Sequence, residues 1–330
     1  MAGTARPGRP RLAGLAGAGG ARALVVVLVL VGALSMGSLG TAGSAPGRLV
    51  SWGFDGFGLA SGQTADQFVA VAASSFHSVG VRADGHLVSW GEDIFVPGLG
   101  GSGVVLGTPT DGGYVRVAAG YGHSVAVRSD GTLVSWGSNA GGLVSATPRG
   151  SGFVAVAAGA LNSVALDSDG RLHAWGTGST PLLAGLPQGD GYTAIAVSGL
   201  HATAIGYGGH LYSWGDDTNG VVSRTPRWGG FTAVAVGYGH AVAIAADGTL
   251  AAWGDDTYGQ VTGTPIDGGY VAVAAGYVHS VALKADGTVV SWGRDTNGVV
   301  SSTPHDSGYT AIAAGYFHTV ALRTATPSTP

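Results

Sequence analysis

The chain has 330 residues, of which 62 are glycine, 45% are hydrophobic and only 10% are charged, and its formal net charge is −4. The hydrophobic share can fill a large core, which excludes a disordered chain, while a single glutamate and a single lysine exclude a coiled coil or a helical bundle. Cysteine is absent, so disulfides cannot support an exported form of the protein.

The first 42 residues differ from the rest of the chain. Four arginines precede the apolar stretch 23–34, and small residues follow at 40–45. This layout predicts a signal peptide over residues 1–42, followed by a short segment at 43–46 and a secreted, extracellular protein. An uncleaved membrane anchor is the alternative, because small residues extend the apolar stretch toward the length of a membrane span.

Removal of the leader would make the protein more acidic. Residues 1–42 hold four of the 15 basic residues and none of the 19 acidic ones, which leaves 11 basic residues and a net charge of −8. A chain of this charge repels a nucleic-acid backbone on average, so nucleic acid is not an expected partner. Membrane contact is expected only if the leader is retained, and the secreted form is expected to be a monomer.

Tryptophan-glycine pairs recur along the rest of the chain. The seven pairs begin at Trp52, Trp90, Trp136, Trp175, Trp214, Trp253 and Trp292. The intervals are 38, 46 and then four times 39 residues, so one repeat holds seven extra residues, within 94–104. A fixed period of this length is typical of repeat folds, and it predicts one domain over residues 47–323 with a tail at 324–330.

The repeat at 270–293 shows the predicted elements clearly. Apolar runs at 270–275 and 279–284 are followed by the Asp286-Gly287 turn and by a third run that ends at Trp292. Asp-Gly between apolar runs is a hairpin signal, because both residues accept a positive φ. A polar loop, a short apolar run and Thr-Pro come next, which predicts a fourth strand. We therefore predict an all-β, seven-bladed β-propeller with four-stranded blades.

The first strand of each repeat and the two chain ends complete this prediction. First strands consist of small apolar residues, as at 71–73, which predicts burial on both faces, and Arg116 interrupts the pattern in one repeat. The chain ends with two strands of a repeat, at 309–315 and 318–323, and begins with a third at 48–52. We expect the N-terminal strand to complete the C-terminal blade and close the ring.

The signatures Gly-Tyr-x-His-Ser-Val-Ala-Leu, Asp-Gly and Val-Ser-Trp-Gly resemble those of the regulator of chromosome condensation repeat family. The resemblance covers about residues 47–323 and implies a seven-bladed propeller, but it says little about function. The exported, cysteine-free chain with Asp-Asp-x-x-Gly loops at 216–220 and 255–259 also looks like the secreted, propeller-type inhibitors of β-lactamases. The exchange-factor role of nuclear family members does not fit a chain with a signal peptide.

Two columns of loops are expected on one face of the propeller, because antiparallel strands alternate in direction. They are the loops between the first and second strands and the loops after the third strand, while the Asp-Gly turns lie on the opposite face. The columns combine aromatic and acidic residues, as protein-binding surfaces do. The predicted binding residues are Phe54, Asp55, Phe57, Phe76, Glu92, Asp93, Phe95, Tyr121, Asp216, Tyr238, Asp255, Tyr258, Tyr277, Tyr316 and Phe317.

Some repeated polar residues have a structural interpretation. Aspartates at one shared loop position, Asp217, Asp256 and Asp295, can accept backbone N–H bonds within their turns. A histidine occupies one position in six repeats, and a local hydrogen bond is favoured over a ring of metal ligands because each histidine lies on a separate blade. These residues are His77, His123, His201, His240, His279 and His318, with Asn162 in the remaining repeat. The tryptophans, except Trp228, are assigned to the core.

Catalysis is not expected. The chain has no cysteine nucleophile, no pair of glutamates, no Gly-x-Ser-x-Gly elbow and no P-loop, so no catalytic residue, metal or cofactor is predicted. The leading hypothesis is a secreted protein-binding propeller, in its specific form an inhibitor of an extracellular enzyme such as a β-lactamase or a cell-wall enzyme. A binder of cell-wall or extracellular glycans is the alternative, and a secreted propeller enzyme is less favoured.

Overall fold

The computed structural model describes residues 46–62, 67–93, 95–96, 100–177 and 180–324. The signal peptide predicted at 1–42, most of the segment 43–46 and nearly all of the tail at 324–330 lie outside the described residues, so these boundaries stay predictions. Within the described ranges, no helix is long and apolar enough to cross a membrane.

Strands dominate the described structure, which confirms the all-β prediction. Helical structure there is confined to α1 (Pro181–Ala184) and to four 3-10 turns, Gly56–Gly58, Ala140–Gly142, Tyr207–Gly209 and Thr296–Gly298. The strands are β1 (Gly47–Gly53), β2 (Phe68–Ala73), β3 (His77–Arg82), β4 (Leu87–Gly91), β5 (Phe95–Val96), β6 (Gly100–Gly101), β7 (Tyr114–Ala119), β8 (His123–Arg128), β9 (Leu133–Gly137), β10 (Phe153–Ala158), β11 (Asn162–Asp167), β12 (Leu172–Gly176), β13 (Ala194–Val197), β14 (His201–Ile205), β15 (Leu211–Gly215), β16 (Phe231–Val236), β17 (His240–Ala245), β18 (Leu250–Gly254), β19 (Tyr270–Ala275), β20 (His279–Lys284), β21 (Val289–Gly293), β22 (Tyr309–Ala314) and β23 (His318–Thr324).

The repeats form antiparallel sheets with an inner, a middle and an outer strand. Inner strands are β2, β7, β10, β13, β16, β19 and β22, middle strands are β3, β8, β11, β14, β17, β20 and β23, and outer strands are β4, β9, β12, β15, β18, β21 and β1. The inner strands are almost wholly buried between neighbouring repeats, as their small apolar residues require. Each inner strand contacts the inner strand of the next repeat, and β22 contacts β2.

The prediction of four strands per blade is wrong for the described residues, where each repeat has three. The segment expected to form the fourth strand folds into turns instead. In the sixth repeat, Asp295 Oδ1 accepts the backbone N–H groups of Val300 (2.8 Å) and Ser301 (2.9 Å), and the N–H of Thr303 bonds to the Val300 carbonyl at 3.1 Å. Pro304 follows and has no N–H to offer a ladder, so the apolar run cannot pair as a strand.

Glycine is required where the Asp-Gly turn of one repeat meets the next repeat. Gly131 has φ of +79°, and a Cβ there would lie 2.6 Å from the backbone nitrogen of Gly152. The Gly131 carbonyl accepts the N–H of Phe153 at 3.0 Å. Gly131 thus allows both the tight hairpin turn and the close backbone contact between neighbouring repeats.

The two ends of the chain lie side by side. β1 pairs antiparallel with β23 along seven residues, from Gly47 opposite Thr324 to Gly53 opposite His318. One further bridge, between Gly47 and Phe68, links this sheet to that of the first repeat. The last described sheet therefore contains strands from both ends of the sequence.

The tryptophans of the Trp-Gly pairs connect each repeat to the one before it. All seven are buried, and each indole Nε1–H donates to a backbone carbonyl in the turn that follows the preceding outer strand. Trp253 Nε1 bonds to the Val221 carbonyl at 2.8 Å, for example, and Trp52 bonds to the Val299 carbonyl at 3.0 Å, across 247 residues of sequence. Trp228 is 61% exposed and belongs to none of these contacts.

Candidate protein-binding face

The predicted loop columns lie at one end of the sheets. In each repeat, the residue after the outer strand donates its N–H to the carbonyl of the loop between inner and middle strands, as from Glu92 to Phe76 (2.8 Å) and from Arg294 to Val278 (2.9 Å). We call this end the loop face. The Asp-Gly turns join middle to outer strands at the other end, which we call the turn face.

Aromatic side chains on the loop face form a connected chain from the loop after β1 through the first two repeats. Ring centroids lie 6.2 Å apart between Phe54 and Phe57, 6.2 Å between Phe57 and Phe76, and 5.2 Å between Phe76 and Tyr121. Such spacings are those of interacting aromatic pairs. Phe57 and Tyr121 are 50% and 44% exposed, so the chain packs together and still faces solvent.

A second aromatic chain runs through the fifth, sixth and seventh repeats. Ring centroids lie 4.6 Å apart between Tyr238 and Tyr277, 3.9 Å between Tyr277 and Tyr316, and 4.7 Å between Tyr316 and Phe317. The two chains adjoin at the sequence ends, where the N–H of Phe54 donates to the Phe317 carbonyl at 2.8 Å. We call the eight residues of both chains the aromatic arc.

Burial of the Tyr316 hydroxyl raises its pKa, and a hydrogen bond with the Tyr277 hydroxyl raises it further. The neighbouring hydroxyls of Tyr238 and Tyr121 act in the same direction. The phenols of four repeats therefore lie close to one another on the loop face.

The third and fourth repeats complete the face with aliphatic residues that the sequence-based site omitted. At the tyrosine position these repeats have Ala160 and Gly199, and beside them stand Leu161 and Leu200, which are 43% and 41% exposed. The sequence pattern of phenylalanine and tyrosine indicates the other repeats, whereas these two leucines are identified by the exposed fraction of their side chains. The loop face thus presents apolar side chains in all seven repeats.

Phe57 has an unusual backbone. Its φ is +67°, in the left-handed region, at a turn position where the second and sixth repeats have Gly141 (φ 63°) and Asn297 (φ 56°). Glycine and asparagine adopt this conformation readily, whereas a phenylalanine there costs of order 1 kcal/mol. Phe57 thus keeps a half-exposed ring on the loop face despite a strained backbone.

Two predicted aromatic residues stand apart from the arc. Tyr258 lies in an outer loop, where the guanidinium of Arg294 from the next repeat is 4.5 Å from its ring centroid. Phe95 belongs to the short hairpin of β5 and β6, which lies in the 46-residue interval, and only its backbone pairing with Gly101 is described. Their role in binding stays a prediction.

Most carboxylates predicted for binding are held by the loops themselves. Asp55 Oδ1 accepts the N–H groups of Ala60 (2.9 Å) and Ser61 (2.8 Å), and Asp93 accepts those of Val105 (2.7 Å) and Leu106 (3.0 Å). Asp216 and Asp255 accept the N–H groups of Thr218 (2.7 Å) and Thr257 (3.0 Å). Backbone N–H groups of the same turns also donate to Asp217, Asp256 and Asp295. Glu92 is exposed. These bonds support the structural interpretation of the acidic positions.

The repeated histidines connect repeats beneath the loop face. His123 Nε2 is hydrogen-bonded to Ser163 Oγ of the next repeat at 2.7 Å, and His318 Nε2 is hydrogen-bonded to Ser78 Oγ at 3.0 Å. His77, His240 and His279 make the same bond. His201 of the fourth repeat differs, because the fifth repeat has Ala241 at the serine position. His201 Nε2 therefore lacks a hydrogen-bond partner among the described residues. The bonds support a structural role for the histidines, but they join neighbouring repeats and are not local to one repeat as predicted.

The described residues also contain no group of three or more histidine, aspartate or glutamate side chains that could hold a metal ion. The loop face therefore offers neutral aromatic and aliphatic surface above an ordered network of turns.

Comparison with known proteins agrees with the architecture. The regulator of chromosome condensation (RCC1) repeat matches residues 68–93, 114–142, 153–179, 231–260 and 270–299. No curated protein matches the chain in sequence. Yeast RCC1 (Prp20), solved bound to Kap60, is similar with a TM-score of 0.68 at 17% identity, covering 97% of this chain and 96% of that one.

Two further structures show the same likeness. Prp20p from Saccharomyces cerevisiae, described with its binding to Gsp1p and histones, has a TM-score of 0.65 at 18% identity and covers 86% of this chain and 93% of that one. Human WBSCR16 has a TM-score of 0.63 at 15% identity, covering 84% and 99%. The protein is therefore a repeat-built, all-β protein of the propeller class. Five segments of the chain are similar to the RCC1 repeat, and its fold is similar to that of the solved RCC1 propellers.

Proposed function

We propose that the chain is a secreted, monomeric, seven-bladed propeller that binds an extracellular protein through the loop face. The aromatic arc is the observation that carries this proposal, since clustered aromatic side chains that reach solvent are the residues that dominate interface energetics. Pairing of β1 with β23, and the Trp52 bond to the Val299 carbonyl, support a ring closed by the chain ends. The similar yeast structures come from a protein described with protein partners.

The specific partner class that we propose is a hydrolytic enzyme outside the cell, such as a β-lactamase or a cell-wall enzyme. The leader at 1–42 directs the chain to that compartment, and the absence of disulfides places no demand on its redox state. A rigid ring loses little conformational entropy on binding, which suits a tight inhibitor.

Titration of the mature protein against a class A β-lactamase and against cell-wall polysaccharide tests the proposed function. Inhibition at nanomolar concentration is expected for the enzyme. Binding to polysaccharide alone would instead support glycan recognition by the same aromatic rings, and would contradict the proposed partner class.

Alanine at the exposed rings of the arc should weaken that complex. Phe57→Ala, Tyr121→Ala and Tyr238→Ala are each expected to cost about 1–4 kcal/mol of binding free energy, because each removes a large anchor. Arg82→Ala and Arg171→Ala, both on exposed side chains near the turn face, should cost less than about 0.5 kcal/mol. Isothermal titration calorimetry measures both sets. Losses confined to the arginines would place the contact on the turn face.

A further inference from the structure

Arg116 occupies a position that is alanine in every other repeat. It lies opposite Val127 in the ladder between inner and middle strands, where the equivalent pairs elsewhere begin with an alanine. Those alanines are Ala70, Ala155, Ala194, Ala233, Ala272 and Ala311. A guanidinium thus stands where the fold otherwise places a methyl group.

This arginine lines a cavity at the turn face, away from the aromatic arc. The cavity has a volume of about 630 Å³, which is in the range of small-molecule sites. Its wall includes Tyr192, Tyr207 and Phe231 from the fourth and fifth repeats, and the backbone of the Asp169-Gly170 turn. The cavity therefore combines aromatic surface with one cationic side chain.

The guanidinium is not neutralised. Among the described residues, no hydrogen bond or ion pair to Arg116 is formed, and its Nε is buried without a partner. Burial lowers the pKa of this side chain, but arginine stays charged at any physiological pH. An unpaired, desolvated cation is costly, and Asp111 shows the contrast by pairing with Arg128 of the same repeat.

The two carboxylates of the cavity wall are committed to other groups. Asp167 Oδ2 is hydrogen-bonded to His173 Nε2 at 2.7 Å, and its Oδ1 accepts the N–H of Arg171 at 2.8 Å. Asp169 Oδ2 is paired with Arg171 Nη1 at 2.6 Å. Their negative charge nevertheless remains near the cavity and repels a dianion more than a monoanion. One free guanidinium beside aromatic rings thus suits a single carboxylate.

We propose that this cavity binds a carboxylate attached to an aromatic or cyclic apolar group, with the carboxylate on the Arg116 guanidinium. The planar fork of the guanidinium matches the two oxygens of a carboxylate, and Tyr192 and Phe231 offer the apolar wall for the attached ring. The ligand is either a free aromatic acid or the C-terminal carboxylate of a peptide that ends in an aromatic residue.

Benzoate binding, measured by isothermal titration calorimetry and by saturation-transfer NMR, tests this site. The mature protein should bind benzoate, and Arg116→Ala should bind it at least tenfold more weakly. Arg82→Gln is the control, because Arg82 is another arginine near the turn face but lies outside the cavity, and this variant should bind benzoate as the unaltered protein does. Benzamide, which has the ring without the charge, should bind weakly to all three.

Arg116→Ala is expected to fold, since alanine fills this position in the other repeats. Its melting temperature should rise by about 2–4 °C, as removal of an unpaired buried charge predicts. This readout separates a lost ligand contact from a damaged fold.

A peptide ending in phenylalanine, with a free or an amidated C-terminus, distinguishes the two sources. Binding of the free peptide but not the amide assigns a chain end as ligand, while binding of benzoate alone assigns a small acid. Three results would each overturn the proposal. They are equal benzoate affinity in the unaltered protein and in Arg116→Ala, tighter binding of inorganic phosphate than of benzoate, and binding of neither benzoate nor peptide.

Discussion

Lowering the pH from 7 to about 5 is expected to unfold the protein. The cause is the set of six buried histidines beneath the loop face. Desolvation lowers the pKa of His77 and His279 to about 3 and that of His123, His201, His240 and His318 to about 4. In the unfolded chain these groups titrate near their ordinary value of 6.5.

The sign of the effect follows from proton binding. Between pH 6.5 and 4 the unfolded state binds protons that the folded state excludes, so stability is complete above pH 6.5 and is lost as the pH falls toward the folded values. Each histidine contributes a loss of about 2 kcal/mol at pH 5. The sum for six is about 12 kcal/mol, which equals the whole stability of a typical domain.

Fluorescence and circular dichroism between pH 7 and 4 measure this transition. Carboxylates with lowered pKa, such as Asp295, lose their contribution only below about pH 4, so the window belongs to the histidines. His240→Asn gives the fifth repeat the asparagine that the third repeat has at this position. The variant should reduce the slope of the free energy of unfolding against pH by about 1.4 kcal/mol per pH unit near pH 5. Stability that stays constant from pH 7 to 4.5 would show that the histidines are accessible to protons in the folded state.

Removal of β1 should abolish a stable monomer. The strand supplies the whole partner edge of β23, and two of its side chains, Leu49 and Trp52, are buried at 6% exposure each. Loss of those two side chains alone costs about 5–10 kcal/mol, which is the net stability of most domains. The exposed edge of β23 would also offer unpaired N–H and carbonyl groups for intermolecular pairing.

A mature chain that begins at Phe54 tests this expectation by size-exclusion chromatography and thermal melting. Aggregation or a melt at much lower temperature is expected, and a synthetic peptide of residues 47–53 should restore the monomer by occupying the edge. Arg48→Ala in the complete strand is the control, because that side chain is exposed and its removal leaves the ladder intact. A monomeric truncated protein with unchanged melting would show that the ends contribute little to the fold.

The sequence predicts much of this fold because period, turns and burial are local signals. The Asp-Gly turns and the alternation of apolar runs place the inner, middle and outer strands of each repeat. The missing fourth strand was not predictable from hydropathy, since Val299 and Val300 look like a strand until the Asp295 bonds and the following proline are considered. A repeated aspartate eight residues before Thr-Pro is the signal that could have shown it.

The candidate site was predictable in outline but not in its connections. Residue types identify Phe76, Tyr121, Tyr277 and Tyr316, whereas their contacts depend on which repeats become neighbours in space. The backbone hydrogen bond from Phe54 to Phe317 requires the chain ends to meet, which follows from the incomplete terminal repeats and not from the residue types of the loops. Arg116 is a related case. The sequence shows only that an arginine interrupts the pattern of small apolar residues, whereas the cavity beside it requires loops from three other repeats.

Hydrogen–deuterium exchange on the complex tests the claim that the loop face binds a protein most directly. The mature chain would be measured alone and saturated with the class A β-lactamase, and the amides of both faces compared. Slower exchange is predicted in the inner-to-middle loops at 74–76, 120–122, 237–239, 276–278 and 315–317, with the Asp-Gly turns at 84–86, 130–132 and 247–249 unchanged. Protection restricted to those turns, or no protection on either face at saturating enzyme, would contradict it.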